Sequence, residues 1–140
     1  MDNKHRAMLA YLAQYPELNA FLHFNTVTDR EGSVGMQTVS NDEWESQDIT
    51  GHGVKRYDFA ILYMAPQDSG TSGVNVDQME RAERFMKWLR AQEEARNYPA
   101  FEGCEVQSID VLQDIPNLAS VNAAGNVAKY MFQCRVRYYE

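Results

Sequence analysis

Apolar positions recur along this chain with two periods, and the changes of period mark its elements. In residues 3–15, NKHRAMLAYLAQY, the side chains of Met8, Tyr11, Leu12 and Tyr15 share one helical face. Asp2 or Asn3 can cap the start of that helix, and Pro16 ends it. AFLHFNTVT, 20–28, alternates Phe21, His23, Asn25 and Val27 with Leu22, Phe24 and Thr26, which predicts a strand. The acidic, glycine-punctuated segment 29–53 is too long for a structureless loop in a small domain. It holds a strand at VGMQTVS, 34–40, and reads as an extended hairpin arm with an acidic tip around Asp42, Glu43 and Glu45. VKRYDFAILYM, 54–64, is the clearest central strand. Tyr57, Phe59, Ile61 and Tyr63 lie on one face, and Arg56, Asp58, Ala60 and Leu62 lie on the other.

Beyond Pro66 and the turn-like QDSGTSG, 67–73, the pattern becomes helical over 76–96. Asn75 is the expected cap, with Gln78 completing a capping box. Met79, Ala82, Phe85, Met86 and Leu89 form its apolar stripe, and Trp88 sits at the stripe's edge. Asn97 and Pro99 close it. Two further strands, 104–114 and 126–139, are expected to pair as a long-looped hairpin. In the last of them Ala128, Tyr130, Phe132, Cys134, Val136 and Tyr138 face the core. Lys129, Met131, Gln133, Arg135, Arg137 and Tyr139 face away. The order α-β-β-β-α-β-β predicts an α+β fold: one domain over 1–140, a mainly antiparallel sheet of four to five strands, and both helices on one face.

The 140 residues suit a single core, and no apolar run approaches the ~20 residues a bilayer requires. The N-terminus has no signal-peptide pattern, so a cytosolic site of synthesis is expected. Net charge is −7, which argues against tight non-specific nucleic-acid binding. It is compatible with a wall that DNA passes without sticking. Cys104 and Cys134 match no metal or redox spacing, and His5, His23 and His52 are scattered, so no metal or cofactor is expected.

No phosphate loop or nucleophile elbow occurs; GTSG at 70–73 is short and lacks the lysine. Asp58 and Asp110 on neighbouring strands are the one candidate acid–base pair, against a plainer reading in which they face solvent or cross-strand cations such as Arg135. Trp44, among acidic residues, either folds back on the body or anchors a partner. The face bearing Arg56, Ala60, Arg135 and Arg137 is either solvated or packed on another copy.

VKRYDFAILYMAP, VDQMERAERFMKWLRAQEEARNYPAF, CEVQSIDVLQDIP and AKYMFQCRVRYYE, taken with the order of elements, resemble the tail-terminator (tail-completion) proteins of tailed bacteriophages. The likeness is diffuse, runs over nearly the whole chain, and is weakest over 29–53. It implies a non-enzymatic morphogenesis protein of the head–tail junction. Such a protein would form a homohexameric ring, cap the tail tube against further polymerisation and offer a surface to the head connector, with DNA passing through the hole. It would act in the host cytoplasm and end in the virion. Arg56, Trp88, Lys129, Arg135, Arg137 and Tyr139 are then candidates for contacts between subunits, and Glu43, Trp44, Glu45, Asp68 and Ser69 for contacts with tube or connector proteins. Another neck ring or the tube subunit is the alternative in the same class; a small enzyme using Asp58 and Asp110, or a ligand-binding module, is the alternative outside it.

Overall fold

The computed structural model describes residues 4–16, 22–24, 34–39, 43–66, 74–121 and 127–140. Its elements are α1 (Lys4–Leu12), β1 (Leu22–Phe24), β2 (Val34–Thr38), β3 (Trp44–Gln47), β4 (Gly53–Pro66), α2 (Val74–Ala95), β5 (Glu105–Val111), β6 (Asn117–Val121) and β7 (Val127–Tyr139). They form one α+β domain around a single sheet ordered β1-β2-β4-β7-β5, with β3 beside β4 and β6 beside β7. All pairs are antiparallel except β1–β2, where Leu22 lies opposite Val34 in a parallel ladder.

β4 and β7 pair without interruption from Val54–Tyr139 to Pro66–Val127. β7 fills one side of β4, so β2 and β3 must share the other; likewise β5 and β6 share the far side of β7. β3 and β6 are the two strands beyond those anticipated. The latter lies in the connection expected to loop between 104–114 and 126–139.

Both helices cover one face. Met8, Tyr11, Leu12 and Tyr15 from the α1 region and Ala82, Phe85, Met86 and Leu89 from α2 join Phe59, Ile61, Tyr63, Phe132, Cys134, Val136 and Tyr138 in one buried cluster. Tyr15 stacks on Phe85 with centroids 4.4 Å apart, and the Tyr11 hydroxyl donates to the Asn97 carbonyl at 2.7 Å. These contacts join α1 to α2 and to the chain that leaves α2. Burial pushes the Tyr11 phenol well above its ordinary value.

Several expectations need correction. α2 begins at Val74, so Asn75 lies inside the helix and is not its cap. The expected caps Asp2 and Asn3 fall outside the described residues, as do the side chains of Gln78 and of the strand at 22–24. Of 29–53, the segment expected to form an extended hairpin arm, residues 34–39 and 43–53 are described, and both parts contain a strand paired with β4. β2 lies in the sheet against the middle of β4, and β3 forms a tight hairpin with the first residues of β4. The sheet's second face is also less open than expected: Asp58, Ala60, Leu62 and Met64 are buried outside the helix-covered cluster. Ala60 and Leu62 lie opposite Gln133 and Met131, whose long side chains share that face.

At the outer edge of β5, the Ile109 amide donates to Glu93 Oε2 of α2 at 2.9 Å. Gly53 opens β4 where Ser46 and Gln47 press close: a Cβ there would strike the Ser46 carbonyl oxygen and lie 2.7 Å from Gln47 Cα. Gly51, in the hairpin turn, has φ +87° but open space around it. Gly53→Ala is expected to cost about 2 kcal/mol through steric overlap, a fall of roughly 6 °C in Tm. Gly51→Ala should cost about half as much, through backbone strain alone. Thermal unfolding followed by circular dichroism measures both.

Candidate assembly surfaces

The strand registers set charged residues in rows on the sheet's second face. Arg135 lies between Asp58 on β4 and Asp110 on β5, and Arg137 lies between Arg56 and Ser108. Arg135 grips Asp58 in a two-pronged bond, Nε to Oδ1 at 2.8 Å and Nη2 to Oδ2 at 2.9 Å. The Asp58 side chain is only 6% exposed. Its hydrogen bond holds the Arg135 guanidinium above its already high ordinary value. Arg137 donates from Nε to Glu45 Oε2 at 2.8 Å and from Nη1 to Asp110 Oδ2, which also accepts from the Ser108 hydroxyl at 3.0 Å. Asp58 and Asp110 are thus each taken by a guanidinium. The resulting lattice neutralises charge and ties β3, β4, β7 and β5 together.

The remaining predicted residues are placed as follows. Trp44 lies on β3 opposite Lys55, whose ammonium sits 4.4 Å from the indole centroid. Lys55 also donates to Glu140 at 3.0 Å and lies 3.4 Å from Glu43. Partial burial lowers its pKa, but the bond to Glu140 and the charge of Glu43 outweigh that, and the net shift is upward. Glu43 additionally accepts from the Tyr138 hydroxyl at 3.3 Å. Trp88 is half-buried against Tyr11, Tyr15 and Phe85. Tyr139 is exposed; its hydroxyl donates to Asp48 at 3.2 Å and its ring stacks on His52. Arg56 and Lys129 are half-buried on β4 and β7. Asp68 and Ser69 fall outside the described residues.

Two groups that the sequence reading passed over organise the sheet's flanks. On the β3 side, the turn 48–52 is built around Asp48. Its Oδ1 accepts from the Thr50 hydroxyl at 2.6 Å, the Thr50 amide at 2.9 Å and the His52 amide at 3.1 Å. The Thr50 hydroxyl bond leads the causes that hold the Asp48 carboxyl below its ordinary value. Asp-x-Thr-Gly was a visible turn signature. The turn presents Ile49 wholly to solvent.

On the β5 side, Gln113 fills the gap in the ladder between β5 and β6. Its Oε1 accepts from the Gln133 amide at 3.0 Å, and its Nε2 donates to the Ile115 carbonyl at 3.0 Å and to Asn117 at 2.8 Å. Nothing in the local sequence announces that role. It fixes a connection that leaves Leu112 and Ile115 exposed. Beside it runs an open groove of about 430 Å³ along α2, lined by Glu83, Met86, Lys87, Arg90 and Asp114 among others. Arg90 donates to the Gln113 carbonyl at 2.8 Å and joins helix to connection.

Among the described residues no cluster of His, Cys, Asp and Glu could hold a metal ion, and no helix is long and apolar enough to cross a membrane. Cys134 is fully buried, which pushes its thiol pKa upward. No protein-family model matches the chain, and no curated protein matches it.

Arg135→Ala, which removes the two-pronged guanidinium bond from the sheltered Asp58 carboxylate, is expected to cost about 3 kcal/mol in chemical denaturation. Arg137→Ala, at a more exposed site, should cost less than about 1 kcal/mol. The Asp48 turn has its own pH signature. Because the folded carboxyl titrates below the unfolded one, its contribution is complete above the ordinary aspartate range and is lost as pH falls through the lower folded value. The Thr50 amide resonance should hold its position down to about pH 4 and shift below it. In Asp48→Asn it should show no such step.

Proposed function

We propose that this protein is a structural subunit of a tailed-bacteriophage neck, a tail terminator that closes into a ring on the head-proximal end of the tail tube. The observation that carries this reading is where the resemblance falls. Its segments coincide with β4, α2 with the chain after it, β5 with its following turn, and β7, which together are the framework of the domain. The weakest likeness falls on a region that includes the β3–β4 hairpin, where a ring would carry its particular contacts.

A terminator needs two complementary flanks, so that each copy meets the next by a repeated rotation that closes. It also needs one end that fits the last tube ring and another that a further tube ring does not fit. This chain supplies two unlike flanks: the hairpin flank, where Ile49 is exposed, and the β5–β6 flank, where Leu112 and Ile115 are. The net charge of −7 suits a hole through which DNA passes without lasting contact. Assembly would take place in the host cytoplasm, with tail tube and connector proteins as partners and the ring, taken as a hexamer from the resemblance, kept in the virion.

Electron microscopy of the purified protein mixed with tail tubes tests the reading. The expected images show a single extra ring at one end of each tube and no filaments of this protein alone. Long filaments would make it a tube subunit, and bare tube ends with rings bound to heads would make it another neck protein.

A further inference from the structure

β2 and β3 share one side of β4, yet they are held there by different means. β2 sends Val34 and Met36 into the buried cluster under the helices. From Glu43 to His52, the stretch that contains β3 and its turn, no residue is buried. Trp44 is half-buried, but it is not among the apolar side chains packed on that cluster.

Charge and backbone bonds fasten this stretch instead. Glu43 lies 3.4 Å from the Lys55 ammonium and accepts from the Tyr138 hydroxyl at 3.3 Å. Glu45 accepts from Arg137 at 2.8 Å, and Asp48 accepts from the Tyr139 hydroxyl at 3.2 Å. The Lys55 ammonium also sits 4.4 Å from the Trp44 indole centroid. In these contacts the carboxylates come from β3 and its two ends, and the donors come from β4 and β7. The Arg56 amide adds a backbone bond to the Glu43 carbonyl at 2.8 Å. Salt weakens attraction between exposed charges, whereas it does not weaken the burial that anchors β2.

Departure of β3 would leave no cation on the sheet without a partner. Lys55 would keep Glu140 at 3.0 Å, and Arg137 would keep Asp110. Glu43, Glu45 and Asp48 are already exposed, so their release into water changes their surroundings little. Segments with few buried apolar contacts and exposed backbone bonds are the ones that open locally in native proteins.

We infer that β3 is a strap that opens on its own while the rest of the domain stays folded, and that salt sets how often it is open. Opening bares backbone groups of β4 that β3 now satisfies, the Arg56 amide among them, and so uncovers a sheet edge of the kind that pairs with other chains. This device stands whether or not the protein forms a ring.

Native-state hydrogen exchange followed by NMR tests it, with the Arg56 amide reporting on the strap and the Ile61 amide on the centre of β4. The Arg56 amide should be protected about a hundredfold less than the Ile61 amide. Its protection should stay nearly flat in low urea, because little surface is exposed, while that of Ile61 falls. Raising sodium chloride from about 0.05 M to about 1 M should lower Arg56 protection about threefold. The double variant Glu43→Gln/Glu45→Gln should lower it about tenfold at the lower salt and leave salt little further to do. If Arg56 protection falls with urea in step with that of Ile61, no separate strap exists. If it is flat in urea but unmoved by salt and by the double variant, charge is not the fastening and the inference fails.

Discussion

The pairing of β4 with β7 is the constraint on which everything else in this domain depends. Both strands, of 14 and 13 residues, are more than twice the usual length, and they match along their whole extent. Side chains alternate between faces, so a slip of one residue would turn Phe59, Ile61, Phe132 and Val136 out of the core and bring charged residues into it. Slips of two residues would preserve the faces, and the polar pairs oppose those. One direction sets Arg56 opposite Arg135 and Asp58 opposite Gln133; the other sets Arg135 opposite Ala60. The second slip would also put Arg137 opposite Asp58; the observed register instead gives Asp58 to Arg135 and leaves Arg137 to Glu45 and Asp110.

That register divides the sheet between two kinds of cohesion. The helix-covered face supplies stability by removing aromatic and aliphatic surface from water, at roughly 25 cal/mol per Å². The other face supplies specificity through directional ion pairs whose net contribution to stability is small, because desolvation offsets much of their attraction. The arginines that look from the sequence like surface for a partner are therefore mostly committed to holding strands in line. Apart from Tyr139 on β7, the large apolar side chains left exposed among the described residues, Ile49, Leu112 and Ile115, lie in turns and connections.

What the sequence made legible follows from the length of each pattern. The faces of β4 and β7 and the stripe Ala82, Phe85, Met86, Leu89 extend over enough residues for their period to be plain, and they define the fold class. β3, WESQ, and β6, NLASV, have no such period. They exist because β4 and β7 outrun β2 and β5, which leaves backbone donors and acceptors that need partners. Asn75 misled because a capping side chain followed three residues later by Gln satisfies the pattern equally well one residue inside a helix. For the assembly surfaces, charged residues were readable but their partners were not. Arg137 reaches Glu45 across 92 positions of chain, and no local pattern encodes such a contact.

The bond from the Ile109 amide to Glu93 bears on how another chain could approach this edge. An outward-pointing amide on a terminal strand is an invitation for another chain to extend the sheet by hydrogen bonding. Here a carboxylate from the overlying helix already occupies it. A foreign strand approaching at that point would have to expel the carboxylate before gaining a bond, so open-ended growth through shared backbone is discouraged on this border. Any chain that approached this border would gain more readily from side-chain contact than from shared backbone.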